Sequence, residues 1–481
     1  MSSDERRAVR ENAQYLRRVR PIDPAEIADY VEGRPHPAVV RRLLREEAFD
    51  LGLVERADGL FVPVSEEPFD PTFRGVEALP DAYADRLDDL LVERWGPDWF
   101  RGESGAHLRE TIRRLKADYF RQHPVEYDAD VALAYAVYHL PDYYAGVQYV
   151  VDDLGRAGLL GHRLRVLDVG AGVGGPALGL HDYLGGDALV AYHAVEPSAA
   201  ADVLATMLDG TGPNFHHRLH RETAEAFDPG TLRGTARRAQ AGDGDDGGVE
   251  FDLVLFSNVL SELDDPVAVV RRYAEFLADD GTLVLVEPAD RNTSITLRAV
   301  ERAVEDGLTV WGPTVRLWPG ERPTDRGWSF TRKPDLAVPP FQRRLAVGAT
   351  DPAAFVNVTV QYSYSLLRAD GRRRIDRRAD PRRHAKMAEM ESHVTDRVDL
   401  LAAKLSHDLA DDGHPLFAVS DGSEAVSHYA VVVRETALNE PLVRADFGDL
   451  LAFENVLVLW NDDEGAYNLV VDERTVVDRV A

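Results

Sequence analysis

Residues 163–175, RLRVLDVGAGVGG, restrict the fold of this chain more than any other stretch. A short apolar run, Val166 and Leu167, ends in Asp168, and glycines at 170, 172, 174 and 175 then open a segment with helical character. Glycine supplies the positive φ of a tight turn, and its missing Cβ lets backbone N–H groups approach a ligand closely. The stretch therefore reads as the first strand and ligand turn of a nucleotide-binding α/β domain.

Downstream the pattern alternates. RVLDVG is followed by the helical run PALGLHDYL, the strand ALVAYHAVEPS, the helix AAADVLATML, a short strand near 214–217 and a helix start at ETAEAF. After a low-complexity loop, AQAGDGDDGGVE, come the strand FDLVLFSNVL, the helix PVAVVRRYAEFLA, a turn at Asp280-Gly281 and the strand TLVLVEP. This alternation predicts an α/β fold, a doubly wound parallel sheet with helices on both faces. Ligands of such sheets sit beyond the carboxyl ends of the strands, at the switch point.

Three nucleotide ligands compete for the turn. A phosphate-binding loop is excluded because no Gly-Lys-Ser/Thr follows the glycines. A dinucleotide is compatible with GAGVGG, since Glu196 lies far enough downstream to hold ribose hydroxyls. S-adenosylmethionine fits better, because Asp168 attracts a sulfonium or ammonium and would repel a pyrophosphate. The expected cofactor residues are Asp168, Gly170, Ala171, Gly172, Gly174, Gly175, Glu196, Ser257 and Asn258. FDLVLFSNVLSEL and GTLVLVEP resemble the fourth and fifth strands of class I methyltransferases. With VLDVGAGVGG and AVEPS they imply that Rossmann-like fold over 161–350.

The resemblance narrows further. HLPDYYAGVQYVVDDL, SNVLSELDDP and VEPADRNTSITLRAV are similar to stretches of the methyltransferase-like proteins of the small ribosomal subunit, a family of mitochondria and prokaryotes. This likeness implies a role with small-subunit ribosomal RNA in ribosome assembly or translation, without implying turnover. A non-catalytic assembly factor that keeps the cofactor pocket and a small-molecule methyltransferase are the alternatives. The family commonly carries cysteines that hold an iron–sulfur cluster after the methyltransferase domain. Here GPTVRLWPGERPTDRGWSF has Thr314, Leu317 or Trp318, and Ser329 at those places, and the chain has no cysteine, so no cluster of that type can form. The segment is expected to pack through Trp311, Trp318, Trp328 and Phe330 instead.

Methyl transfer is an in-line displacement that needs an aligned nucleophile and sometimes a base. Cytosine C5 methylation requires a cysteine nucleophile, which is lacking. The loop after the fourth strand, Ser257-Asn258-Val259-Leu260, lacks the prolines and aromatic residue common in amino-group methylation. Asn258, Ser261 and Glu262 are the polar candidates for catalysis, and each is equally suited to capping the following helix.

The flanks read differently. Residues 1–70 show helical spacing at 8–19, at 24–31 and after His36-Pro37, closed by a hairpin around Asp58-Gly59, the outline of a winged helix or of a plain helical cap. Residues 71–160 continue as a helical cap whose last run, 129–160, reads as two helices broken at Pro141. Tyr135, Tyr138, Tyr143 and Tyr144 crowd that break, with spacing suited to core or to substrate stacking. In 351–481, FVNVTVQYSYSLLR alternates, 386–409 reads as one helix, and short strands with turns follow. They predict a small β-rich domain, a sheet or a barrel resembling an oligonucleotide-binding fold.

Charge adds one candidate surface. The 481-residue chain carries a net charge of −28, with lysine only at 116, 333, 386 and 404, a composition suited to a salt-adapted, halophilic protein. Against that background eight arginines and three aspartates fall between 368 and 383. Arg368, Arg372, Arg373, Arg374, Arg377 and Arg378 are expected to contact RNA phosphates, the other reading being a loop paired with the protein's own carboxylates. No apolar run of spanning length and no signal-peptide pattern occurs, so a cytoplasmic protein without a membrane partner is expected, and no metal site.

Overall fold

Caps and prolines set the first element boundaries. Ser2 and Glu5 form a capping box on the helix Ser3–Leu16, and Asp23 and His36 cap helices that begin on proline, Pro24–Tyr30 and Pro37–Glu46. A computed structural model describes residues 2–121, 123–232 and 249–480, so all but the last two residues of the low-complexity loop 239–250 lie outside the described residues. The chain divides into two units, Met1–Leu255 with Pro334–Val360, and Phe256–Lys333 with Gln361–Ala481.

In the first unit, the three N-terminal helices bury Val9, Ile27, Val40 and Leu44 around Phe61. Phe61 lies in an antiparallel hairpin, Leu53–Glu55 with Phe61–Pro63, which follows a fourth, one-turn helix, Ala48–Leu51. Helices Asp81–Trp95 and Gly102–Phe120 lead to the long helix α1, Ala129–Arg156. The expected break at Pro141 does not occur. Proline removes the N–H that Val137 O would accept, but buried Gln342 donates its side-chain amide to that carbonyl at 2.8 Å. Gln342 and Asn357 likewise serve Tyr138 O, at 3.3 and 3.1 Å, so α1 runs through the proline as one 28-residue helix.

The glycine turn follows α1. Strand β1 (Arg163–Val169) leads through it to α2 (Gly175–Leu184), β2 (Leu189–Val195), α3 (Ala200–Leu208), β3 (Phe215–His220) and β4 (Phe251–Ser257). The strand order is β3-β2-β1-β4, with β1, β2 and β3 mutually parallel. The chain leaves β1 toward β2 and returns on its other side as β4. The order therefore reverses at β1, and the crevice of the switch point opens beyond Val169.

The second unit holds α4 (Pro266–Ala274), β5 (Leu277–Pro288), α5 (Arg291–Val304), β6 (Thr309–Gly312) and β7 (Gln361–Arg368). Strand β7 pairs antiparallel with β5 on one side and β6 on the other. The turn expected at Asp280-Gly281 is absent, because β5 passes straight through it. The C-terminal part contains β8 (Arg397–Lys404), β9 (Leu416–Ser420), β10 (His428–Val432), β11 (Leu450–Asn461), β12 (Ala466–Val471) and β13 (Val476–Arg479). The pairings β8-β9-β10-β12-β11-β8 close a five-stranded barrel, with β10 and β12 parallel, and β13 is added on β11. Relative to the sequence reading, 386–409 is corrected: a 3₁₀ segment, Met387–His393, precedes β8, whose Leu400 and Ala402 enter the barrel core. Pairing with β11 overrides the helical spacing of that run.

Candidate functional site

The turn itself is built from backbone. Gly170, Gly172 and Gly174 adopt φ of 74°, 53° and 95°, which a side chain would strain. The N–H groups of Gly170 and Ala171 both donate to Val195 O, at 2.9 and 3.1 Å, tying the turn to the end of β2. Glu196, expected to hold a ribose, also pins this turn: Oε2 accepts from Gly172 N at 2.9 Å, and Oε1 from the N–H and hydroxyl of Ser198. A carboxylate has about four lone-pair sites, so one acceptor direction remains. Gly175 serves packing. A Cβ there would meet Tyr143 Cβ at 2.8 Å, and one on Gly179 would meet Tyr144 O at 2.4 Å, because α1 crosses α2 backbone to backbone.

Asp168 is the polar centre of the crevice. It is 0% exposed, and Oδ2 accepts a hydrogen bond from the Tyr192 hydroxyl. Oδ1 has no hydrogen-bond partner among the described residues. Burial pushes the carboxyl up to about 7, with the Tyr192 hydrogen bond opposing and the charge of Glu196 adding. A cation reaching Oδ1 would satisfy the orphan oxygen and restore its charge.

An aromatic wall on α1 flanks the turn. Tyr135 Cε1 lies 4.0 Å from the point where Gly172 would carry a Cβ. Its ring is 4.9 Å from that of His139, which stacks on Tyr143 at 5.0 Å, and Tyr127 meets Tyr135 edge-on at 5.4 Å. Asp142 Oδ2 lies 3.5 Å from His139 Nδ1, while Asp142 Oδ1 is buried without a hydrogen-bond partner among the described residues, and burial pushes this carboxyl up. Tyr144 is core: it is buried and donates to Asp182 at 2.7 Å. Tyr127, His139 and Asp142 were not legible as site residues, although 135, 139 and 142 share one helical face.

The second unit carries the remaining candidates. Asn258 adopts φ of 59°, donates its N–H to Val286 O at 2.8 Å and its amide to Ser257 Oγ at 3.0 Å. Ser261 and Glu262 are exposed on a 3₁₀ turn, Leu260–Glu262. None of the three caps α4, because Asp265 does so, accepting from Ala268 N at 3.0 Å. Glu287, at the carboxyl end of β5, is a residue the sequence reading missed. It is fully buried, its Oε1 accepts from Leu260 N at 2.8 Å, Oε2 has no partner among the described residues, and burial pushes it up to about 8. A lone acid ending an apolar strand, the signal that marked Asp168, also marks this residue.

The arginine segment divides. Arg368 is corrected from a phosphate contact to a structural residue, since it is 2% exposed and binds Asp370, Thr282 Oγ1 at 2.9 Å and Asp280 O at 2.8 Å. Arg374 lies 3.8 Å from buried Asp449, and exposed Arg372 lies 3.7 Å from Asp370. Arg373, Arg377 and Arg378 have no ion pair among the described residues.

Where cysteines were expected, a polar lock stands. Glu301 is fully buried and accepts from Arg298, from Arg316 at 3.2 Å, from Thr314 Oγ1 at 2.9 Å and from Ser365 Oγ at 2.7 Å. Arg298 also donates to Ser329 Oγ at 2.9 Å. Trp311, Trp318 and Phe330 are buried, with Trp328 stacked on Phe330 at 5.4 Å.

The sheet and its glycine turn are those of a Rossmann-like methyltransferase domain, joined in the same chain to a β-rich domain that contains a small barrel. Residues 140–338 match the family described as a methyltransferase domain, and residues 6–57 and 388–480 match the N-terminal and C-terminal domains of a domain of unknown function, DUF8157. No curated protein matches the chain. Among solved structures, an O-methyltransferase family protein from Burkholderia thailandensis is 15% identical, over 63% of this chain and 88% of its own, with a TM-score of 0.29. The plantazolicin methyltransferase BpumL in complex with SAH is 8% identical, over 60% and 98%, with a TM-score of 0.28. The mitomycin 7-O-methyltransferase MmcR is 17% identical, over 59% and 76%, with a TM-score of 0.24. Among the described residues no helix is long and apolar enough to cross a membrane.

Proposed function

We propose that this chain binds S-adenosylmethionine at the glycine turn and acts on or with small-subunit ribosomal RNA. The observation that carries the cofactor is Oδ1 of Asp168, a buried acceptor next to the carboxyl end of β1 with no partner among the described residues. S-adenosylmethionine, when bound, supplies a methyl group activated on a sulfonium, together with a cationic ammonium. Asp168 suits the cationic end, and the remaining acceptor direction of Glu196 suits a hydroxyl. The N–H groups of Gly170 and Ala171 keep the turn closed on β2. The rings of Tyr135, His139 and Tyr143 offer faces on which a planar acceptor can stack. Arg373, Arg377 and Arg378, without an ion pair among the described residues, support a phosphate-bearing partner.

Calorimetry with S-adenosylmethionine tests the cofactor. The wild-type chain is expected to bind it and Asp168→Ala to bind at least about tenfold more weakly, the loss of one charge-assisted contact. Equal binding by the two proteins, or none by either, overturns the reading. Transfer of labelled methyl groups to small-subunit ribosomal RNA then separates an enzyme from an assembly factor that only keeps the cofactor.

A further inference from the structure

The C-terminal barrel has the strand order and the single parallel pair of an oligonucleotide-binding fold, a barrel that grips nucleic-acid strands with the face of its own second and third strands and with its first and fourth loops. In this barrel those loops are acidic. The loop between β8 and β9 holds Asp408, Asp411 and Asp412, and the loop between β11 and β12 holds Asp462, Asp463 and Glu464. Phosphates are repelled there. Elsewhere in the same unit, a groove of about 870 Å³ is lined by Arg378, Arg382 and Arg383, together with Trp318, Pro319 and the acidic Glu389.

We infer that this groove binds the phosphodiester backbone of a single RNA strand. Arg378, Arg382 and Arg383 are exposed and have no ion pair or side-chain hydrogen bond among the described residues. Within this segment Arg368, Arg374, Arg397 and Lys386 all find carboxylates, whereas three guanidinium groups stand open together in one groove. Their planar forks match phosphate oxygens, and their succession along the chain matches a row of phosphates rather than one free ion. Asp396 and Asp399 line the same groove. They repel a second row of phosphates, which selects one strand over a duplex, and they are acceptors for exocyclic amino groups of bases. An anionic membrane is disfavoured because residues 373–399 present no exposed large apolar side chain to enter it. Only the choice of RNA as the strand rests on the proposed function.

Fluorescence anisotropy of the full-length protein with a labelled single-stranded RNA oligomer, across a salt series, tests this. The triple variant Arg378→Ala, Arg382→Ala, Arg383→Ala is expected to bind at least about tenfold more weakly, and its plot of log affinity against log salt to be shallower by about two. Arg434→Ala, an exposed arginine outside the groove, is expected to bind like wild type. Asp168→Ala is expected to keep RNA binding while losing the cofactor, so failure of the cofactor reading and failure of the groove give different results. Calorimetry with S-adenosylmethionine and the melting temperature verify that the triple variant is folded. Unchanged RNA affinity and salt slope in a folded triple variant overturn the inference. So does arginine-dependent capture by phosphatidylserine vesicles in place of RNA.

Discussion

Asp168 and Glu301 are both fully buried carboxylates, one in each unit, and the protein treats them in opposite ways. Glu301 fills its oxygens with two arginines and two hydroxyls. Burial alone would raise its pKa, yet Arg298 and Arg316 bring it down to about 2. Asp168 has a tyrosine on one oxygen and, among the described residues, nothing on the other, and burial leaves it at about 7. The first arrangement is complete without a ligand and locks the tryptophan-bearing segment around Thr314. The second leaves a buried acceptor open, which is what the proposed cofactor site requires.

The comparison is most easily broken at Glu301. Glu301→Ala leaves buried Arg298 without a carboxylate among the described residues and Arg316 with Glu305 alone, and a loss of about 3–5 kcal/mol in urea unfolding is expected. A loss below about 1 kcal/mol would remove the contrast with Asp168. The pH dependence has a fixed sign: because the folded pKa is depressed, the stabilisation from Glu301 is present above its unfolded value, 4.5, and is lost as pH falls toward about 2.

Asp168 behaves oppositely. Its folded pKa lies above the unfolded 3.8, so without cofactor the folded state loses stability as pH rises from about 4 to about 7. Asp168→Asn is expected to abolish that decline in melting temperature while weakening S-adenosylmethionine binding. In the wild type, cofactor affinity should rise as pH passes about 7, because the cation binds the ionised form. A pH-independent affinity in wild-type protein would contradict the orphan-oxygen argument.

The smallest effect belongs to Glu287. Glu287→Gln keeps an acceptor for Leu260 N and removes a charge that burial already disfavours. Stability near pH 7 is expected to change by less than about 1 kcal/mol in thermal unfolding. A larger loss would place this carboxylate with Glu301 rather than with Asp168.

Much of the methyltransferase sheet was legible because its signals are short. Strand–helix alternation and three glycines with positive φ act within a few residues of each other. The site was legible only where it touches that turn. His139 and Asp142 looked like ordinary positions of a helical cap, and the helix containing them looked broken until Gln342, two hundred residues away, supplied the donor that Pro141 lacks. The arginine cluster shows the same limit. Arg368 and Arg378 belong to one basic run, yet β7 buries the first against Asp370 while the second lines an open groove.

Sequence by itself determined the class of the central sheet, the place of its glycine turn and the impossibility of a cysteine-held cluster. Tertiary structure decided which acids are satisfied and which stay open, whether Pro141 ends a helix, and which arginines are free. The reason is that turn geometry and strand period are local properties. Desolvation and hydrogen-bond pairing instead depend on groups from distant parts of the chain, which meet only after folding.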